Sequence, residues 1–509
     1  MSTLVWPSTF ARTQASARVL IPRFEPSRVG RDWRACNFGC TLDLVGESSL
    51  EVVVVESART AEVIVVGAGL SGLCAARELV RQGKDTLVVE ARDRVGGRMV
   101  RKSVTSGGWI DLGGQWIGPT HNGIRDLAES LGVTRFDSYT AGDTVLCYNG
   151  ALSLIADEFP PVGPVAGVSS AEVEEAIRVW QQFLALAATV DVERPWLTPD
   201  AQALDAQTVA SWLAGVTTSP FARFFAECWV LAEFGGDPGA ASMLATVAGY
   251  AAGPDEEEPE LWLLHGGAGQ IPELLADELG GRVLLGQPVF RIAQDTDGVT
   301  VTTGDSTYRA RFVIVAIPVH LAGAIDYSPP LPAGRIQLTQ RAPMGSVIKY
   351  TAVYPTAWWR NHGLSGIVVS ERTVVAVADS STPDGVPGVL TGFVSGPAAV
   401  GLLEESEDSR RRGVLSDLVA YFGDEAGRPE QFIEMNWPGE KWTGGAYNAV
   451  LAPNTLTSFG PAIARPVGRI HWAGTEASPR WPGFFEGAVR AGYAAAHAIA
   501  SRSAVTSGH

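Results

Sequence analysis

A chain of 509 residues exceeds one ordinary domain, and with 46% hydrophobic and 18% charged residues it is globular, with enough apolar surface for a sizeable core. A formal net charge of −16 excludes the basic face that phosphate backbones require, so nucleic acid is not an expected partner. No window approaches about 18 consecutive apolar residues, so no membrane span is expected.

The first sixty residues stand apart. Six arginines, no lysine and only two acids, Glu25 and Asp32, fall between Met1 and Arg34. The bias loosely resembles a targeting segment, but without an apolar core or cleavage site residues 1–60 read as a disordered extension or a non-native start. The cysteines, Cys36, Cys40, Cys74, Cys147 and Cys228, are scattered without metal-ligand spacing. Free thiols in a reducing compartment, the cytoplasm, and no metal site are therefore expected.

Ordered α/β texture begins near residue 61. "VIVVGAGLSGLCAARELV" (Val63–Val80) places a continuously apolar strand before a glycine cluster and a helix, with Gly83 as its stop. "TLVVE" supplies the next strand and completes a βαβ unit. Gly67, Gly69 and Gly72 match G-x-G-x-x-G in the context that a dinucleotide demands, strand before and helix after. The first glycine permits the turn, the second lets backbone approach a pyrophosphate, and the third allows close helix–strand packing. Glu90, 18 residues beyond Gly72, ends the next strand, where a carboxylate accepts hydrogen bonds from ribose hydroxyls. "EARDRVGGRM" then adds Ala91, Arg92, Gly96, Gly97 and Arg98, an arginine-bearing double-glycine turn that offers donors to a pyrophosphate.

The segment from Phe136 to Leu264 is rich in helical patterns and carries an acidic run, Asp255, Glu256, Glu257, Glu258 and Glu260. That run reads first as a solvated loop, with the steering of cationic amines toward an entrance as the sharper alternative. Trp262 is either a cavity wall or core, and His265 reads as structural. Strands return after residue 280, with Asp297–Gly298 as a tight-turn signal. In "SVIKYTAVY", neither alternating face is clearly solvent-facing, so Lys349 is either buried or an edge lysine with its amine in water.

The glycine–arginine extension after Glu90 resembles the FAD-binding amine oxidase family, to which the monoamine oxidases belong. The resemblance runs from about residue 61 to 502. It is carried further by "DLGGQWIGPTHNGIRDLAESLGV" (Asp111–Val133), "GQPVFRI", "APMGSVIKY", "WTGGAYNAVLAP" and "HWAGTEASPRWPGFFEGAVRAGYAAA". It implies an α/β architecture: a Rossmann-like FAD-binding domain assembled from residues 61–135, 265–338 and 440–502. An α+β substrate domain, 136–264 and 339–439, is inserted between these segments, and 503–509 is a tail. It also implies FAD contacts at Gly67, Gly69, Ser71, Gly72, Glu90, Ala91, Arg92, Gly97, Arg98, Gly114, Gln115 and Trp116. Further contacts are implied at Val289, whose backbone meets adenine in relatives, and at Gly474, Thr475, Glu476, Phe484 and Phe485. Tyr447 and Phe484 are the expected aromatic pair flanking the substrate nitrogen, with Trp116 and Trp262 as further walls. Lys349 matches the lysine that holds a water at the flavin.

The departures from the family pattern carry their own expectations. Ala446 stands where monoamine oxidases attach flavin through cysteine, so FAD should be bound without a covalent link. "DLGGQWIGP" lacks the arginine with which L-amino-acid oxidases bind a substrate carboxylate, which disfavours carboxylate-bearing substrates. The expected activity is oxidation of a primary or secondary amine to an imine, with O2 reduced to H2O2. The alternatives are a putrescine, polyamine or nicotine-class oxidase, and a dehydrogenase or desaturase using another acceptor. A homodimer is the candidate assembly.

Overall fold

The structure is a computed structural model that describes residues 59–156, 160–161, 163–253, 260–304 and 306–506. The extension before residue 59 and the acidic run at 255–258 lie outside the described residues.

A five-stranded parallel sheet forms the floor of the nucleotide-type region. Its order is Val283–Leu284, Thr86–Val89, Val63–Val66, Phe312–Val315, Ile470–Trp472, so strands from three distant stretches of chain meet in one sheet. All four residues of Val63–Val66 are buried because both faces are covered. Alternation divides them. Val63 and Val65 pack with Leu73, Leu79 and Val489 beneath helices Leu70–Arg81 and Phe485–Thr506, while Ile64 and Val66 pack against Ile292, Val301 and Tyr308 of a second sheet. That second sheet contains the hairpin Val289–Gln294 and Val299–Thr303. Its turn is organised by Asp295, whose carboxylate accepts from the backbone N–H groups of Asp297 at 2.8 Å and Gly298 at 2.9 Å.

The other half of the molecule is a seven-stranded mixed sheet: Gln431–Asn436, Val347–Tyr354, Gly388–Ser395, Ala376–Asp379, Leu364–Ser370, Asp143–Tyr148, Ala151–Ile155. Strand Val347–Tyr354 lies between two partners and is buried along its whole length, so Lys349 is only 3% exposed. Helices Ser170–Ala187, Pro220–Phe234 and Met243–Ala251 cover the sheet through a core of Leu146, Tyr148, Val173, Phe221 and Val247. The first of these helices opens on a capping box between Ser169 and Glu172.

Candidate active site

The turn after strand Val63–Val66 uses glycine for separate steric reasons. Gly67 has φ 101°, and a Cβ there would come 2.7 Å from the Ala316 carbonyl oxygen. A Cβ on Gly72 would fall 2.0 Å from the carbonyl oxygen of Gly67. Gly69 is different: no atom of the described residues lies within 4 Å of where its Cβ would stand, because that side opens into a cavity of about 660 Å³. Gly69 caps helix Leu70–Arg81 with no side-chain cap and no acid in the first turn, leaving the positive helix end available to an anion. Glu90 holds the facing loop. Its carboxylate accepts from the N–H of Ala68 at 2.7 Å and of Arg92 at 3.0 Å. Arg92 is in turn committed to Glu440 at 2.9 Å and to Thr443, while Arg98 donates to the Tyr447 carbonyl and, at 3.3 Å, to Glu476.

The far end of the same cavity is aromatic and holds the lysine. Lys349 Nζ donates to the Gly113 carbonyl at 2.8 Å and to Gln115 Oε1, while Gln115 Nε2 donates to Ser380 Oγ at 2.7 Å. Burial lowers the Lys349 ammonium to about 7, against the opposing pull of Asp111 and Glu260. Asp111, which accepts from Ala268 N–H at 2.7 Å and Gly269 N–H at 2.9 Å, is itself raised by burial to about 6. The Lys349 nitrogen is 5.8 Å from the ring centres of both Trp116 and Phe393. Phe393 meets the Tyr447 ring edge-on at 6.0 Å. Phe484 lies on the same cavity but makes its ring contacts with Trp481 at 5.1 Å and His121 at 5.5 Å. Thr475 Oγ1 fixes its backbone, donating to the Phe484 carbonyl at 3.1 Å.

Most residues marked in the sequence therefore converge. Gly67, Gly69, Ser71, Glu90, Ala91, Arg92, Gly97, Arg98, Gly114, Gln115, Trp116, Val289, Lys349, Tyr447, Gly474, Thr475, Phe484 and Phe485 all line this cavity. Gly72 stands behind it as packing, and Glu476 reaches it through Arg98. Trp262 is not among the lining residues. Its strand, Trp262–Leu264, pairs with Arg135–Asp137, and its ring lies 4.3 Å from the Arg135 guanidinium. His265 packs on Phe136 at 4.6 Å, away from the cavity lining. Phe393, Trp437 and Glu233 line the cavity without having been marked, since no local motif distinguishes them from core or surface residues.

A profile of flavin containing amine oxidoreductases matches residues 70–500. The chain belongs to this family. It is 46% identical over 442 residues to an L-amino acid dehydrogenase of Synechocystis sp., covering 86% of this chain and 94% of that protein. Among solved structures it is similar to cyclohexylamine oxidase from Brevibacterium oxydans, with TM-score 0.82, 35% identity and coverage of 87% and 99%. It is also similar to a putrescine oxidase bound to putrescine, with TM-score 0.81, 31% identity and coverage of 87% and 100%. The architecture is thus the α/β FAD-binding fold of the flavin amine oxidoreductases, and the cofactor is FAD. The cavity fits that cofactor on three counts. Space is open at Gly69, the helix end beside it is uncapped, and the buried Glu476 Oε2 has no hydrogen-bond partner among the described residues.

Proposed function

We propose that this flavin amine oxidoreductase oxidises a primary or secondary amine to an imine, hydrolysed to an aldehyde or ketone, with O2 reduced to H2O2. The observation carrying this reading is the convergence of buried Lys349 with Tyr447 and Phe484 on one cavity. In this reading Glu90 and Val289 hold the adenosine end of FAD, while Gly69, Ser71, Gly97 and Arg98 hold the pyrophosphate. Gly114, Gln115, Trp116, Gly474, Thr475, Glu476 and Phe485 bed the remainder. Ala446, which has no sulfur, leaves the link non-covalent. FAD supplies the two-electron acceptor that takes the α-hydrogen and its electron pair from the amine.

The chain's own residues do the rest. Tyr447 and Phe484 present π faces that admit the amine, attract its ammonium form on entry and orient the neutral nitrogen for reaction. Lys349 spends two of its ammonium donors on Gly113 and Gln115, leaving one for a water that assists oxygen reduction. The free, buried thiols Cys74, Cys147 and Cys228 support a reducing compartment, the cytoplasm. No described helix is long and apolar enough to cross a membrane.

A second reading, electron transfer to an acceptor other than O2, is favoured by the 46% identity to an L-amino acid dehydrogenase. Against an α-carboxylate as substrate, the only arginines lining the cavity among the described residues are Arg92 and Arg98, both committed to protein partners. The test is a panel of monoamines, diamines, cyclic amines and amino acids added anaerobically to the yellow holoenzyme, followed by oxygen. Flavin bleaching by amines and peroxide on reoxidation support the first reading. Bleaching with sluggish reoxidation selects the second, and a flavin that no amine bleaches overturns both.

A further inference from the structure

Two tight turns meet beside the cavity. Gly118-Pro119-Thr120-His121 closes with the His121 N–H donating to the Gly118 carbonyl at 3.1 Å. Trp481-Pro482-Gly483-Phe484 closes with the Phe484 N–H donating to the Trp481 carbonyl at 3.2 Å. Proline stands second in that turn and Gly483 third, at φ 94°, as a type II turn requires. The turn delivers Pro482, Gly483 and Phe484 to the cavity wall. Glu486, on helix Phe485–Thr506, holds the two turns together, because its carboxylate accepts from the Ile124 N–H at 2.9 Å in the first turn of helix Asn122–Ser130.

Trp481, where the second turn begins, is held against its own preference. Its φ of 54° is left-handed, an outlier for a bulky side chain that persists only where neighbours over-determine it. Three contacts do so. Its N–H donates to the Ala252 carbonyl at 3.3 Å, and its ring lies so close to Gly253 that a Cβ there would come 2.7 Å from indole Cζ3. The third contact is His121, whose ring meets the indole at 84° with centres only 4.3 Å apart. At that separation the smaller imidazole presents its edge to the indole face, since an indole edge over the imidazole would overlap it. His121 Nδ1 accepts from the Gly118 N–H at 3.0 Å, so the neutral ring carries its proton on Nε2. That nitrogen is buried and has no hydrogen-bond partner among the described residues. Burial, and then the charge of Arg490, lowers the imidazolium to about 4 and keeps the ring neutral.

We propose that His121 is a positioning residue for amine oxidation: its Nε2–H points into the π face of Trp481, fixes the left-handed start of the second turn and so sets the Phe484 ring beside the substrate nitrogen. This rests on the amine-oxidation reading and adds to it a residue that does not itself line the cavity. An N–H against a π face is weak as a bond, so its part is direction more than energy. Without it the indole is free to tilt. Phe484, whose ring centre is 5.1 Å from that of Trp481 and 5.5 Å from that of His121, then tilts with it.

The test is a double-mutant cycle on the holoenzyme, read as anaerobic flavin bleaching by cyclohexylamine and 1,4-diaminobutane, which does not depend on the final acceptor. His121→Phe keeps a ring but loses both nitrogens, and should slow the limiting bleaching rate at saturating amine roughly 10-fold with flavin still bound. His121→Gln, whose amide accepts from Gly118 and donates to the indole, should recover to within about threefold of wild type. In a Phe484→Ala background, His121→Phe should cost no more than about twofold, because the ring it positions is gone. Losses that simply add in that background, or a His121→Gln variant as slow as His121→Phe, overturn the proposal. The second readout needs neither amine nor variant. In wild-type holoenzyme labelled with nitrogen-15 histidine, one imidazole should keep its proton on Nε2 without titrating between about pH 5.5 and 8, and the indole ring current should shift that proton upfield. Loss of the signal in His121→Gln assigns it, and a wild-type spectrum without an upfield Nε2–H overturns the proposal. If no amine bleaches the flavin, the oxidation reading fails, and the nitrogen-15 spectrum alone decides whether His121 holds Trp481.

Discussion

Arg98 joins the two ends of the cavity: the guanidinium nitrogen that donates to the carbonyl of Tyr447 also donates to Glu476 Oε1 at 3.3 Å. One side chain from the double-glycine turn thus holds the backbone of an aromatic wall and an acidic residue of the C-terminal motif. Arg98→Ala removes charge-assisted bonds worth about 1.5–3 kcal/mol and leaves the Glu476 carboxylate without its cation. FAD should then be released roughly tenfold or more readily, measured as loss of bound yellow colour on dilution and gel filtration. Retention at the wild-type level counts against this role.

Gly69 and Gly72 separate cofactor binding from folding. A methyl at Gly69 meets nothing within 4 Å among the described residues, and φ there is −71°, which any residue adopts. Gly69→Ala should fold with a Tm within a few degrees of wild type when FAD is absent, yet bind FAD poorly. Gly72→Ala drives a methyl to 2.0 Å from the Gly67 carbonyl oxygen and should fail to accumulate as folded protein. Circular dichroism melts and flavin titration distinguish the two outcomes, and equal behaviour of the variants would sink the distinction.

Lys349 predicts a pH signature. Its ammonium is lowered from 10.5 to about 7, so between those values the native state holds fewer protons than the unfolded chain. The stability penalty of burying the amine is therefore complete below about 7 and fades as pH rises toward 10.5. The difference in Tm between Lys349→Met and wild type should favour the variant more at pH 6 than at pH 10, in differential scanning calorimetry. The same variant should be reduced by amine at near the wild-type rate and reoxidised by O2 at least tenfold more slowly, a guide value for a lost positioned group. Normal reoxidation in stopped-flow traces would refute the role given to Lys349.

Trp262 and Tyr447 should behave oppositely. Trp262→Ala removes a ring 4.3 Å from Arg135, outside the cavity lining, and should cost about 0.5–1 kcal/mol of stability with kcat/KM within about twofold. Tyr447→Ala removes a half-buried cavity wall and should lower kcat/KM by roughly 10-fold or more, the scale of a lost cation–π contact and misplaced nitrogen. Steady-state kinetics on one amine checks both. A large kinetic loss in Trp262→Ala returns that residue to the substrate site.

The sequence by itself determined whatever a short window encodes. The run Val63–Val66, the spacing of Gly67, Gly69 and Gly72, and Glu90 at the end of the next strand specify a βαβ unit and its anion end, because turn sterics and strand burial are local matters. The burial of Lys349 was half legible, from a strand with no polar face. Only tertiary structure decided the rest. Trp262 went to a two-stranded pairing with Arg135–Asp137 instead of the cavity, and strand Asp143–Tyr148 paired on one side with Leu364–Ser370, more than two hundred residues later. Glu233, which on a helix reads as one more solvated acid, was brought onto the cavity wall by the docking of that helix over the sheet. Periodicity records which face of an element is apolar, but not which distant element covers it. The walls of a cavity made by several elements are therefore written in the packing and in no single stretch of chain.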